Sequence, residues 1–130
     1  MTVEIQFAPK LKRVCGDRVQ LQQVLLNLIM NACDAMTEND LRDRRLTRRT
    51  LPEDSTGLRI EVSDVGRALP DDGAERAFEG FFTTKPQGLG LGLSVCRTIL
   101  AAHGGSLSAT NNAGRGATFH CILPLAKEPC

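Results

Sequence analysis

No pair of cysteines stands at CxxC spacing in this chain, and only two histidines occur in it. Zinc sites built from clustered cysteine and histidine are thereby excluded. The five cysteines lie at 15, 33, 96, 121 and 130. Cys33 and Cys96 fall in helical patterns and Cys121 in an apolar strand pattern, so reduced, partly buried thiols in a cytosolic domain are expected. No sign of charge dominates either: 16 Lys and Arg stand against 15 Asp and Glu. That balance argues against a basic nucleic-acid surface and an acidic tail. No apolar run reaches membrane-spanning length, and no signal peptide precedes TVEIQF. The expectation is a cytoplasmic domain with no nucleic-acid or membrane contact of its own, in a parent that can still be membrane-anchored. Finally, no Gly-Lys pair exists, which removes the phosphate loop GxxxxGK[ST].

What is present suits one domain with a real core: 130 residues, 42% of them hydrophobic. TVEIQF and LKRVC read as alternating strands. Asp17 is a plausible N-cap for a helix over 18–36 carrying Val19, Leu21, Val24, Leu25, Leu28, Ile29, Ala32 and Ala35. Strands at RRLTRRT and LRIEVSDV follow, separated by the turn-rich LPEDSTG. Residues 65–88 read as irregular. A second helix over 91–102 ends at His103-Gly104-Gly105, and SLSATN and ATFHCILP form a hairpin around NAGRG. This order predicts an α+β fold: a two-layer sandwich of a mixed, mostly antiparallel sheet with helices on one face. The local charge bias of TENDLRDRRLTRRT, five arginines and three acids, reads first as a solvated loop and edge strand, with a partner-docking surface as the alternative.

Three places carry candidate chemistry. Residues 78–94, FEGFFTTKPQGLGLGLS, alternate Gly88, Gly90 and Gly92 with Leu89, Leu91 and Leu93 and feed the second helix. Glycine lets backbone approach a ligand closely, and a helix N-terminus presents free N–H groups to an anion. A dinucleotide GxGxxG does not fit, since positions 93 and 95 are Leu and Val. On the first helix, Asn27 and Asn31 share a face with Gln23 and Asp34. Asparagine is a mediocre helix former, so the pair reads either as a satisfied polar stripe or as an oxygen-donor site for Mg²⁺ and phosphate. At the end of LRIEVSDVG, Asp64 can accept a hydrogen bond from an exocyclic amine such as that of adenine, and Gly66 leaves room for a flat base; alone, this is an ordinary turn. Gly114-Arg115-Gly116 reads as a hairpin turn.

Together and in order, these segments resemble the ATP-binding catalytic domain of sensor histidine kinases, in the superfamily that also holds gyrase, Hsp90 and MutL. GDRVQLQQVLLNLIMNACDAM (16–36) resembles the N box, SDVGRALP (63–70) the G1 box, FEGFFTTK (78–85) the F box and GLGLGLS (88–94) the G2 box. The last helix and terminal hairpin are similar over 95–124, and the closest branch is that of nitrogen-regulation and oxygen-sensing kinases. The resemblance implies a Bergerat-type fold spanning 1–130 with an ATP lid at about 70–92. It implies that Asn31 ligates Mg²⁺, Asn27 contacts phosphate or water beside it, and Asp34 lies in the same site. Asp64 would read the adenine amine, with Gly66, Ala68 and Thr118 around the base. Thr83, Thr84 and Lys85 would lie in the lid, Lys85 offsetting phosphate charge, and Gly88 to Leu93 would put N–H groups on the phosphates. Phe78, Phe81 and Phe82 would anchor the lid by packing.

The superfamily's ATPases carry a water-activating glutamate where this chain has Asn27, an amide that cannot act as a general base. The implied activity is therefore transfer of the ATP γ-phosphoryl group to a histidine on a separate dimerisation domain, in two-component signalling. Neither His103, at a helix end, nor His120, in a strand, resembles that acceptor. The implied partners are this domain and, through it, a response regulator; the isolated domain would be monomeric and the parent a homodimer. The G1 box departs from the family's DNGPG by reading DVGRA, with Val65, Arg67 and Ala68 substituted, and Ala117 replaces a threonine. These departures motivate a second reading, a degenerate nucleotide-binding or interaction module with weak or no kinase activity.

Overall fold

The structure, a computed structural model, describes residues 1–7, 14–69 and 90–126. Strand β1 (Thr2–Phe7) is followed by helix α1 (Arg18–Ala35), a 3₁₀ turn (Leu41–Asp43), β2 (Arg45–Pro52) and β3 (Gly57–Ser63). Helix α2 (Gly90–Ala102), β4 (Ser106–Asn111) and β5 (Ala117–Pro124) complete the order. The five strands form one sheet in the order β1-β2-β3-β5-β4. β1 runs parallel to β2 with Ile5 opposite Arg48, and every other pair is antiparallel. The expected mixed sheet is thus present, with two helices packed on one face.

Alternation explains why that face is covered. Leu58, Val62, Phe119, Cys121, Leu123, Leu107 and Ala109 point toward the helices and are buried, while Glu61, His120 and Arg49 lie on the opposite face. α1 answers with Val24, Leu28 and Ala32, and α2 with Cys96, Ile99 and Leu100, all in one core. Burying each of the larger ones, Val24, Leu28, Ile99 and Leu100, contributes roughly 1.5–3 kcal/mol relative to exposure. α1 starts where the N-cap logic puts it. The backbone of Asp17 is extended, and its Oδ1 accepts from Gln20 N at 3.0 Å.

The two helices are joined at their far ends by His103. Its Nε2 accepts from Asp17 N at 3.0 Å and its Nδ1 lies 2.8 Å from Ile99 O, an arrangement that selects the neutral Nδ1–H tautomer. On the opposite face of the sheet, His120 sits between Thr110 Oγ1 at 2.9 Å and Glu61 Oε2 at 3.2 Å.

Some expectations fail. Val14 and Cys15, the described end of LKRVC, carry no strand. Val19 is 72% exposed, because α1 needs only a narrow stripe to cover the sheet. β2 continues through Leu51 and Pro52, pairing with Arg59 and Leu58, so the linker is only the turn at 53–56. Cys33, Cys96 and Cys121 are free thiols as expected, whereas Cys15 is disulfide-bonded. Burial raises the thiols of Cys96 and Cys121, the latter to about 12.

Candidate functional site

Asp64 sits where β3 ends and the chain turns toward α1. It is 2% exposed, an unusual place for a carboxylate unless it is held by donors. Its Oδ1 accepts from Gly66 N at 2.9 Å and from Ala117 N at 3.3 Å, while its own N–H donates to Ala117 O at 3.0 Å. Burial pushes its carboxyl above the usual carboxylate range; the two N–H donors and the charge of Arg67 pull the other way. Both contacts among the described residues fall on one carboxylate oxygen, and the other is the atom suited to a ligand donor.

Gly66 is required here by helix packing. A Cβ at this position would stand 2.2 Å from Ala35 O, and Arg67 N donates to that same oxygen at 3.1 Å. The turn after Asp64 is thus docked on the last turn of α1. Ala68 is exposed, so among the described residues the fold does not press on the Cβ that replaces the family's second glycine. Thr118 is buried, with Oγ1 2.6 Å from Asn112 Oδ1 and 2.9 Å from Ser63 Oγ, immediately behind the Asp64 turn.

The asparagine face of α1 completes the arrangement. Asn27, Asn31 and Asp34 are all half-buried. Asn27 hydrogen-bonds through its side chain with Cys96 of α2, whose Sγ also lies 3.7 Å from Val24 O. Cys96 is one turn beyond Gly92, so this contact brings the first turn of α2 against the asparagine face. Asn31 is one turn before Ala35, about 6 Å along the axis from the residue on which the Asp64 turn is docked. The end of the glycine run and the Asp64 turn thus both dock on α1, about 12 Å apart along its axis, with Asn31 between the two points.

α2 begins at Gly90, so Gly90, Leu91, Gly92 and Leu93 belong to its first turn and not to a loop. Leu93 packs against the core. First-turn N–H groups have no intrahelical acceptor, which keeps the proposed use of this backbone intact. Thr83, Thr84, Lys85, Gly88 and Leu89, the three lid phenylalanines and the greater part of the lid lie outside the described residues.

Sequence reasoning missed two side chains and undervalued a third residue. Asn112 Nδ2 reaches Asp64 O at 2.9 Å, Ser63 Oγ at 3.2 Å and Arg115 O at 3.2 Å. Asn39, 8% exposed, donates to Val65 O at 3.1 Å and accepts from Arg115 Nη2 at 2.7 Å. Gly116, read as a turn residue, has φ +89°, and a Cβ there would lie 2.1 Å from Asp64 O. The NAGRG turn was visible in sequence; that it backs Asp64 was not. Asn111 adds an anchor, its amide accepting from Leu69 N at 2.7 Å and donating to Leu69 O at 3.3 Å.

A mixed sheet with two helices on one face, a buried aspartate at the end of β3 and an asparagine pair on α1 define the class. Residues 16–127 match the family described as Histidine kinase-, DNA gyrase B-, and HSP90-like ATPase, and the chain belongs to it. Among curated relatives, the sensor protein FixL of Bradyrhizobium diazoefficiens is 44% identical over 128 residues, covering 97% of this chain and 25% of FixL. The chain thus spans about a quarter of that relative's length. Among solved structures, the nucleotide-free catalytic domain of histidine kinase ThkA superposes with a TM-score of 0.82 at 34% identity, covering 95% of this chain and 78% of that one. Full-length ShkA in complex with AMPPNP superposes with a TM-score of 0.79 at 29% identity, covering 98% of this chain and 27% of that one.

Proposed function

We propose that this chain is the ATP-binding catalytic domain of a sensor histidine kinase. It would bind ATP with Mg²⁺ and present the γ-phosphoryl group to a histidine on a separate dimerisation domain. The observation that carries the reading is the convergence on α1: the Asp64 turn docks on Ala35, and α2 docks through Cys96 on Asn27. ShkA, solved with an ATP analogue, and the named kinase relatives support it.

Each residue then has a physical task. The buried Asp64 carboxylate accepts the exocyclic amine of adenine, an interaction strengthened by the low-dielectric surroundings. The N–H groups of the first turn of α2 face the phosphates, and Lys85 adds a point charge. The donor set of Asn27, Asn31 and Asp34 is all oxygen, as Mg²⁺ requires. No group of three or more His, Cys, Asp or Glu suited to a metal exists among the described residues, so the remaining ligands would be phosphate oxygens and water. Asn31 would hold the ion, which when bound offsets charge on the phosphates. Asn27 cannot take a proton from water, which suits a site that protects ATP from hydrolysis until a nucleophile arrives. His103 and His120 are both engaged within the fold, leaving the acceptor role to another domain. A response regulator would receive the phosphoryl group from that domain, as befits relatives of ThkA, which has been solved in complex with the response regulator TrrA. The parent would be a homodimer.

Calorimetric titration with ATP in Mg²⁺ tests the reading. Saturable one-site binding is expected, together with γ-phosphoryl transfer when a dimerisation domain bearing the acceptor histidine is supplied. No binding at millimolar nucleotide overturns it.

A further inference from the structure

Four side-chain hydrogen bonds close a belt around the chain at 64–66. Asn112 Nδ2 donates to Asp64 O at 2.9 Å and also to Arg115 O at 3.2 Å. Arg115 Nη2 donates to Asn39 Oδ1 at 2.7 Å, and Asn39 Nδ2 donates to Val65 O at 3.1 Å. Two consecutive peptide carbonyls are thus gripped from opposite sides, one by the terminal hairpin and one by the segment after α1. Both amides are themselves fixed. Thr118 Oγ1 donates to Asn112 Oδ1 at 2.6 Å, the Asn112 N–H donates to Gly116 O at 2.9 Å, and the Asn39 N–H donates to Met36 O at 3.0 Å. Neither amide orientation can be reversed, since an oxygen would then face a carbonyl oxygen.

We infer that Asn112, Arg115 and Asn39 are positioning residues that aim the Asp64 carboxylate at the base and set selectivity for adenine. The inference rests on the nucleotide reading above. Its logic is geometric. The belt holds the two peptide planes that follow Asp64, 64–65 and 65–66, and the second carries the Gly66 N–H that fixes Oδ1; rotation of those planes would carry the other carboxylate oxygen away from the amine. Gly66 N and Ala117 N fix Oδ1 only while those planes stay put. Hydrogen bonding to a base amine is directional, and a displacement of about 1 Å is enough to cost a large factor in such a site. The belt also suits the DVGRA sequence of this chain. Val65 has no polar side chain with which to brace its own turn, and the brace comes from Asn39 and Asn112 instead.

The test compares wild type, Asn112→Ala and Arg115→Met by two measurements. One is the preference for ATP over inosine triphosphate, which carries an oxygen where ATP carries the amine. The other is amide hydrogen exchange of Gly66 and Ala117, with the β5 core amides as reference. In both variants the ATP preference should fall roughly ten-fold, as expected for one misaligned hydrogen bond. Gly66 and Ala117 should exchange faster while the β5 core keeps its wild-type rates. An unchanged preference in a folded variant overturns the inference, and so does uniform acceleration of all amides, which marks a general structural role. If wild type shows no preference for ATP, the nucleotide reading fails, and the exchange measurement still decides whether the belt fixes Asp64.

Discussion

Two pairs of asparagines serve this fold in different ways. Asn27 and Asn31 lie four residues apart on α1 and share a half-buried face that meets α2 through Cys96. Asn39 and Asn112 come from distant segments and are bridged by Arg115, each holding a backbone carbonyl of the Asp64 turn. The first pair is the one proposed to offer its oxygens to a ligand. The second is spent on the protein itself, and its donors point at carbonyls that would otherwise be free to rotate. An amide can thus belong to a site by touching the ligand or by fixing the residue that does, and the two roles separate in experiment.

Replacing Asn31 with Ala should show the ligand-facing role most strongly. ATP affinity in Mg²⁺ should fall about a hundredfold, since the ion's contribution to phosphate binding is worth several kcal/mol. In EDTA, wild type and variant should bind ATP alike. Calorimetry with and without the metal checks this, and equal loss under both conditions would remove Asn31 from the metal role.

The glycines of the terminal hairpin sharpen the protein-facing side. Gly116→Ala should destabilise by about 2 kcal/mol or more in urea unfolding, because φ is positive and the added methyl meets the carbonyl of Asp64. Gly114→Ala should be close to neutral, since a Cβ there meets nothing within 4 Å. Equal effects at the two positions would mean that the turn, and not its seat behind Asp64, sets the requirement. A smaller effect is expected at the far end of the helices. His103→Ala leaves the Asp17 N–H without its acceptor and should lower stability by about 1 kcal/mol without altering the ATP preference.

The helices were readable because their signals are local. Asp17 caps α1 through Gln20, and the apolar positions of Val24, Leu28 and Ala32 recur at helical spacing. The strands were readable by alternation, as in Leu58, Ile60 and Val62. The parallel pairing of β1 with β2 was not, since nothing in TVEIQF specifies its neighbour. Asp64 stands out in the sequence because it ends an alternating strand before a glycine, yet the structural reason for Gly66 is different in kind: it admits α1, through Ala35. Asn39 and Asn112 were invisible because their acceptors are main-chain carbonyls, which every residue carries. Spacing within one element reveals a shared face; it does not reveal a bond to the backbone of another element.

The smallest expected effect distinguishes the buried carboxylate from its amide neighbours by pH. Burial is the largest influence on Asp64 and raises its carboxyl above 3.8, with Gly66, Ala117 and Arg67 opposing it. A folded value above the unfolded one gives a contribution to stability that is fully present below the unfolded value and lost as pH rises through the folded value. The difference in unfolding free energy between wild type and Asp64→Asn should therefore shift against wild type as pH rises across that window, and level off above it. Nucleotide should act in the opposite direction. A base amine donates to the ionised carboxylate, so ATP binding should weaken as pH falls through the folded value, while inosine triphosphate, which offers an acceptor there, should not weaken in the same way. Parallel profiles for the two nucleotides would place the base elsewhere and leave Asp64 as a buried brace for the hairpin.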